Sequence, residues 1–420
     1  MIILFYIFAV VLIFLSYKSW RGGVKYLEYF RQEAAKPESD FAPMVSVIVP
    51  CRGVDEDMDR NLAALLRQDF PNYEILFAVE SETDPAVKVI ETAVGKVAKR
   101  ATYKLLFSGR AQSEGQKVRS LREAMNHVDD KSEIFVFADS DIRPDKNWLR
   151  NLIEPLKDES IGAATGYRWF VSRKGGFASE MRAVWNASIA SALGAETRTN
   201  FCWGGSTAIR RAVFEKINLR ERWRGTLSDD FTVTRVMQEN RLPIYFAPRA
   251  MVASLGDCTF GELLEFTTRQ MKITRTYAPH LWQAAFAGSF LFNLVFLWAI
   301  AILILSIFAG ESPLASIPFW AAVATLVLVS AFSVAKASLR LKAIKLVLKN
   351  YDKELARQSR PQNTLWFLSP ALFLFNSARA LLSHHIVWRG IKYELRAPDR
   401  IIVSRPPSDT TSPAPVSSDG

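Results

Sequence analysis

The 420-residue chain is 49% hydrophobic yet carries 53 Lys and Arg against 42 Asp and Glu, a net charge of +11. Apolar and basic together favour a membrane protein resting on an anionic leaflet over a nucleic-acid binder, so no nucleic-acid partner is expected. Three scattered cysteines (Cys51, Cys202, Cys258) and four histidines exclude a disulfide framework and a Cys/His zinc centre, and fit a reducing compartment.

The first 17 residues are almost wholly apolar and are followed by Lys18, Arg21 and Lys25. A signal peptide carries its charges ahead of the apolar run. The reverse order here predicts an uncleaved anchor over 1–20 with its C-terminal side in the cytoplasm. From Met44 to Pro279 the pattern is that of a soluble domain (44–279). VSVIVP (Val45–Pro50), EILFAVE (Glu74–Glu80) and EIFVFAD (Glu133–Asp139) are apolar runs of strand length. Helical patterns over Met58–Gln68, Ala86–Lys99 and Lys117–His127 separate them. Strands alternating with helices predict an α/β fold with a mostly parallel sheet, which binds ligands at the carboxyl ends of its strands.

Beyond this domain, 281–309 and 315–335 are apolar enough to span a membrane. Between them lies the loop Gly310–Pro313. The segment 336–364 holds eight basic residues and an apolar stripe through Leu339, Ile344, Val347 and Leu348, a pattern suited to a helix lying on the inner leaflet. A further apolar stretch, 365–388, contains Pro370, Asn376 and Arg379 and is expected to be a transmembrane or re-entrant segment. The low-complexity end, 398–420, is expected to be disordered.

Within the soluble region, Asp139-Ser140-Asp141 ends a predicted central strand. Side chains two apart on a strand share a side, so both carboxylates can meet one hard divalent cation, Mg²⁺ or Mn²⁺, that also takes substrate phosphates. An ordinary acidic turn has the same composition. Asp84, between Glu80 and a helix starting at Ala86, suits either a nucleoside contact or a helix cap. Lys117 stands near a helix N-terminus, where the dipole disfavours a cation unless an anion such as a diphosphate is present. Gly204, Gly205 and Ser206 permit close backbone approach to a sugar or acceptor, or form a structural turn. In LSDDF, Ser228 or Asp229 can cap a helix and one acidic residue suffices for that, so the second is surplus. An aspartate held near a metal-bound leaving group can act as a general base, while read alone the segment favours a merely charged first helical turn. Arg269, Lys272 and Arg275 recur at helical spacing just before the membrane run, with Gln270 among them, where a leaving diphosphate can use them or they serve as topology signals or lipid-headgroup contacts.

In order, VSVIVPCRG, VESETDPA, GQKVRSL, FADSDI, GGSTAIRR, LSDDF and RQMKITR resemble a family-2-type inverting glycosyltransferase of GT-A fold, similar to the ceramide glucosyltransferases and their bacterial relatives. The likeness covers residues 44–280, and the anchor and C-terminal spans match as well. It implies that Asp84 contacts the nucleotide, that Asp139 is the metal–diphosphate ligand with Asp141 completing the DxD, and that Asp230 deprotonates the acceptor. Glu80, Lys117, Arg269, Gln270 and Lys272 are then donor-side residues, and Gly204, Gly205, Ser206 and Asp229 line the acceptor region. The (Q/R)xxRW signature survives only as Arg269-Gln270-Met271-Lys272-Ile273, with Lys for Arg and Ile for Trp. Val184–Leu193 lacks the histidine that the animal enzymes carry. The implied reaction moves a hexose, glucose by likeness, from a UDP-sugar to a membrane-lipid hydroxyl, with the catalytic domain cytoplasmic in a multi-pass protein of a bacterial inner membrane. Diacylglycerol, a hopanoid or a carotenoid alcohol are rival acceptors to ceramide. A processive polysaccharide synthase would need more spans and an intact signature. Outside enzymes, an inactive membrane-anchored nucleotide- or lipid-binding protein is the alternative, and it has no need of Asp230.

Overall fold

The computed structural model describes residues 2–97, 102–308, 314 and 316–405. Helix α1 (Ile2–Ala34) runs unbroken past the expected 1–20 anchor. With no proline to stop it, the apolar span continues through Lys18, Arg21 and Lys25 into a strut against the soluble domain. Tyr29 Oη donates to the Phe246 carbonyl at 2.6 Å, and Glu33 accepts from Tyr245 Oη at 2.6 Å.

The soluble domain alternates as the sequence predicts. β1 (Val45–Pro50), α2 (Met58–Leu66), β2 (Tyr73–Val79), α3 (Ala86–Gly95), β3 (Thr102–Phe107), α4 (Gln116–Ala124) and β4 (Ile134–Ala138) form successive crossovers. The expected helix over Ala86–Lys99 ends at Gly95, and Ala98 and Lys99 lie outside the described residues. After α5 (Trp148–Ile153) come β5 (Ala163–Thr165), β6 (Arg168–Val171), α6 (Phe177–Ala190), β7 (Ser206–Arg210), α7 (Arg211–Lys216) and α8 (Leu219–Arg222). They are followed by α9 (Asp229–Glu239), β8 (Ile244–Phe246), β9 (Val252–Leu255) and α10 (Phe260–Tyr277). The main sheet has the order β3-β2-β1-β4-β7-β5-β8. Strands β1 to β4 pair in parallel, and β7 runs antiparallel between β4 and β5. Burial on both faces explains why β1, β2 and β4 read as continuous apolar runs: nearly every residue in them is buried. Strands β6 and β9 make a separate parallel pair beside the sheet.

Two long apolar helices follow, α11 (Pro279–Phe308) and α12 (Ile317–Val347). The loop expected at 310–313 lies outside the described residues. With α1 and the helical run Ser359–Leu382, the protein has, among the described residues, four helical segments long and apolar enough to cross a membrane.

Three expectations for the C-terminal third are corrected. There is no separate interfacial helix over 336–364: α12 continues unbroken to Val347, and short helices α13 (Asp352–Arg357) and α14 (Ser359–Thr364) complete the segment. Its apolar stripe faces protein, because Ile344 and Leu348 are buried in one core with Tyr26 and Phe30 of α1 and the β1–β2 layer. The 365–388 segment is not helical to its end, although the helical run Ser359–Leu382 that contains most of it is apolar and long enough to cross a membrane. Helix α15 (Ser369–Leu382) is followed by strand β10 (His385–Trp388), and Asn376 turns inward to accept from Thr268 Oγ1 of α10 at 2.9 Å. The segment from 398 is not wholly a tail. β10, β11 (Ile391–Ala397) and β12 (Arg400–Ser404) form an antiparallel sheet packed against Leu227 and Tyr277. Residues 406–420 lie outside the described residues.

Candidate active site

A cleft of about 590 Å³ opens at the carboxyl ends of β1 and β4, within the range of small-molecule sites. The loop after β1 contributes Cys51, Arg52 and Asp55, α4 contributes Gln116 and Lys117, and the end of β4 contributes Asp139 and Asp141. Across from them stand Arg168 and Phe170 of β6, Arg182 of α6, and Phe266, Arg269 and Gln270 of α10. A third wall is the β10–β11 hairpin, with Trp388, Arg389 and Tyr393.

At the floor, Lys117 Nζ lies 2.7 Å from Asp139 and 3.1 Å from Asp229, and donates to the Gly204 carbonyl at 3.3 Å. The cation expected to need an anion at the start of α4 thus has two carboxylates of the protein itself. Burial pulls the ammonium down, but these carboxylates outweigh it and hold Lys117 well above the usual lysine range. Burial also pushes Asp139 up, and Lys117 and Arg168 reverse that, leaving it below the usual carboxylate range. Asp229 goes the other way: burial raises it to about 6 despite Lys117, with Asp230 and Asp139 adding to the rise.

Asp141 sits beside Arg168, 3.6 Å from its guanidinium, and its pKa is raised because burial outweighs that arginine. Its Oδ1 is buried with no hydrogen-bond partner among the described residues. An orphaned carboxylate oxygen beside a second carboxylate is the donor set a hard divalent cation takes when substrate phosphates complete its shell. No group of three His, Cys, Asp or Glu side chains capable of enclosing a metal occurs among the described residues, so such an ion would depend on its ligand's oxygens. Arg168 is steered by the rings of Trp203, Phe170 and Phe266 at 5.1, 5.2 and 5.7 Å.

Helix α9 starts with a Ser228 cap whose side chain accepts from Phe231 N–H. Asp230 Oδ1 accepts from Ser228 Oγ at 2.5 Å and from Phe231 N–H at 2.8 Å, while Oδ2 accepts only from Gly204 N–H at 3.3 Å. Asp230 is half-buried and Asp229 is 5% exposed. The adjacent carboxylates are therefore sorted, Asp229 toward Lys117 and Asp230 toward the Ser228 cap and Gly204, and neither lines the cleft itself.

Other predicted residues are placed differently. Asp84 does not line the cleft; its Oδ1 accepts from Gly53 N–H and Ala86 N–H, both at 2.9 Å, clipping the β1 loop to the start of α3. Glu80 lies behind the cleft, paired with Arg405 at 2.6 Å and near Arg52 at 3.6 Å. Lys272 turns away from the cleft and donates to the His385 carbonyl at 2.7 Å. Ser206 is fully buried and accepts from Trp148 Nε1 at 2.9 Å. Of the two readings of Gly204 and Gly205, close approach of a sugar or acceptor and a structural turn, the packing fits the structural one, since protein groups fill the space a Cβ would take. A Cβ on Gly204 would lie 2.3 Å from Asp229 Oδ2, and one on Gly205 2.3 Å from the Trp203 ring and 2.8 Å from Asp139 Oδ2. Gly205→Ala is accordingly expected to displace Asp139, with overpacking that costs about 1–3 kcal/mol. A lowered melting temperature with weakened divalent-ion binding checks this.

Sequence reasoning missed Arg168, Trp388 and Arg389. Arg168 carries no motif of its own. The hairpin pair stands more than 100 residues from α10 in a segment that reads as membrane-associated.

A family model described as glycosyl transferase family 21 matches residues 3–401. The chain belongs to that family. It is 21% identical over 247 residues to ceramide glucosyltransferase 1 of Caenorhabditis elegans, covering 57% of this chain and 51% of the relative. It is 30% identical over 78 residues to the ceramide glucosyltransferase of Komagataella phaffii, covering 19% of this chain and 15% of the relative. The chain thus spans about half the length of the first of these relatives and much less of the second. Among solved structures, it is similar to the mannosyltransferase PcManGT from Pyrobaculum calidifontis in complex with GDP-Man and Mn2+. That likeness has 18% identity and a TM-score of 0.42, and covers 88% of this chain and 99% of the other. Family membership agrees with the resemblance read from the ordered motifs, and the α/β architecture, N-terminal helix and apolar helices agree with the expected fold.

Proposed function

We propose that this family 21 protein transfers a hexose, glucose in the first instance, from a UDP-sugar to the hydroxyl of a membrane lipid, ceramide being the acceptor in the names of its relatives. The observation that carries the reading is the mixed lining of the cleft, which joins Lys117, Asp139 and Asp141 to Phe170 and Phe266. The Phe266 ring of α10 contacts Trp185 of α6, which stacks on Phe373 of α15 at 5.0 Å. α15 in turn packs on the apolar helix α11, so a lipid hydroxyl can approach laterally from the bilayer surface. The basic residues after the α1 span favour a cytoplasmic catalytic domain.

In this scheme Asp230 accepts the proton of the acceptor hydroxyl as its oxygen attacks the anomeric carbon, and the bond to the nucleoside diphosphate breaks with its electron pair. A single displacement inverts the anomer, giving a β-glycoside from an α-linked donor. Asp139 and Asp141 would hold a divalent ion, Mg²⁺ or Mn²⁺. When bound, such an ion supplies positive charge that stabilises the leaving diphosphate. Lys117 keeps Asp139 ionised and in place, and Arg168 offsets part of the burial that raises Asp141.

The product's stereochemistry tests the scheme. Purified protein in lipid nanodiscs, given UDP-glucose and ceramide, is expected to yield the β-glucoside by NMR, and activity is expected to vanish in excess chelator and return with Mn²⁺. An α-product, or full activity in chelator, would contradict the single displacement or the metal role respectively.

A further inference from the structure

The weakened signature on α10 keeps Arg269 in the cleft but has Lys272 and Ile273 at the positions where the family resemblance implies arginine and tryptophan. Lys272 points to the His385 carbonyl, and Ile273 stands in the tryptophan position. The β10–β11 hairpin brings the same two residue types to the same cleft. Trp388 lies beneath the Arg269 guanidinium, 5.7 Å from ring centroid to Cζ. Arg389 follows it, donating from Nη2 to Asp55 at 2.5 Å and from Nη1 to the Arg52 carbonyl.

Arg389 occupies an uncommon backbone position. It has φ +49°, ahead of Gly390 at φ +78°, so both central residues of the turn are left-handed. Such turns favour Asn, Asp or Gly at the first position, and a long side chain there is strained. A turn needing only closure has cheaper residues available. Arg389 also faces more than its hydrogen-bonding partner. It lines the same cleft as Asp139 and Asp141, and although burial would lower its pKa, Asp55 first, then Asp141 and Asp139, raise it. Beside it, Arg52 has an Nη1 that is buried with no hydrogen-bond partner among the described residues. Two guanidinium groups, one with an unused donor, thus border the space in front of Asp139 and Asp141. Planar donors of this kind match phosphate oxygens in pairs.

We propose that Arg389 and Arg52 bind the diphosphate of the sugar nucleotide, Arg389 being delivered by the C-terminal hairpin in place of the arginine missing from α10. This rests on the donor reading above and adds residues to it. The Arg405–Glu80 ion pair, together with Arg405 donating to Gln116 at 2.7 Å, ties the end of β12 to the edge of the same site. The whole hairpin is held in register with the cleft from both ends.

The test measures binding of UDP and of UMP to the full-length protein in detergent with Mn²⁺, by calorimetry. The variants are Arg389→Ala, Arg389→Lys and Arg52→Ala. Loss of a charge-assisted contact to the second phosphate is expected to reduce the UDP-over-UMP preference by about tenfold. Arg389→Lys should recover only part of it, because an ammonium lacks the paired donors. Equal weakening of UDP and UMP would mean that the hairpin merely shapes the pocket, and unchanged binding would make Arg389 a tie to Asp55 only; either overturns the proposal. Absence of any nucleotide binding by the wild type would overturn it together with the donor reading. Wild-type transfer activity with an unchanged preference in the variants would overturn this proposal alone.

Discussion

Replacing Asp230 with asparagine is expected to lower the turnover of glycosyl transfer by roughly 10²–10⁴-fold, the usual contribution of a positioned general base. Donor affinity and melting temperature should change little. The asparagine side chain would keep an oxygen able to accept from Ser228 Oγ and Phe231 N–H, so the start of α9 can stay capped. What is lost is the basicity of a carboxylate whose Oδ2 has only the 3.3 Å contact to Gly204 N–H. The neighbouring change, Asp229→Asn, should instead disturb the floor through Lys117. If Asp229→Asn removed turnover while Asp230→Asn retained it, the base would have to be reassigned.

Lys117→Met is expected to be the most destabilising single change at the site. It leaves Asp139 and Asp229 facing each other without their cation. Stranding buried charge in this way typically costs about 3–5 kcal/mol, or roughly 6–20 °C in melting temperature for a domain of this size. The pH dependence has a definite sign. Asp229 already has a folded-state pKa raised to about 6 by burial, and removal of Lys117 pushes it further up. A carboxyl raised above its unfolded value stabilises the fold at low pH and loses that contribution as pH rises through the folded value. The deficit of Lys117→Met relative to wild type should therefore begin to shrink above pH 6, as the solution is acidified through the variant's still higher Asp229 pKa. It should shrink further as Asp139, held low in the wild type by Lys117, becomes protonated in the variant. A deficit that grows on acidification would contradict the floor arrangement.

The parallel sheet was legible because its strands are buried on both faces and so spell continuous apolar runs. VSVIVP is a strand from its first residue to its last. The acidic end of β4 was legible for the related reason that two charged residues interrupt such a run. What sequence could not supply is what each amphipathic surface meets. The Leu339–Leu348 stripe has the pattern of a leaflet-bound helix, and only the fold reveals that Tyr26 and Phe30 cover it. Strands β10 to β12 alternate buried and exposed over a few residues each, a weak signal next to a long apolar helix and a low-complexity end. Lys117 announced an anion but not that Asp229, far along the chain, would supply it. Gly204 and Gly205 announced a close approach, and the approaching groups are Asp229, Lys117 and Trp203.

The most direct test of the central claim is transfer of labelled sugar to lipid. Membranes containing the protein, and matched membranes without it, are incubated with radiolabelled UDP-glucose and a lipid panel of ceramide, diacylglycerol and a hopanoid, and the extracted lipids are separated. Label is expected in a new glycolipid only where the protein is present. No protein-dependent glycolipid with UDP-glucose, nor with UDP-galactose or GDP-mannose in its place, would contradict the assignment of this cleft to lipid glycosylation.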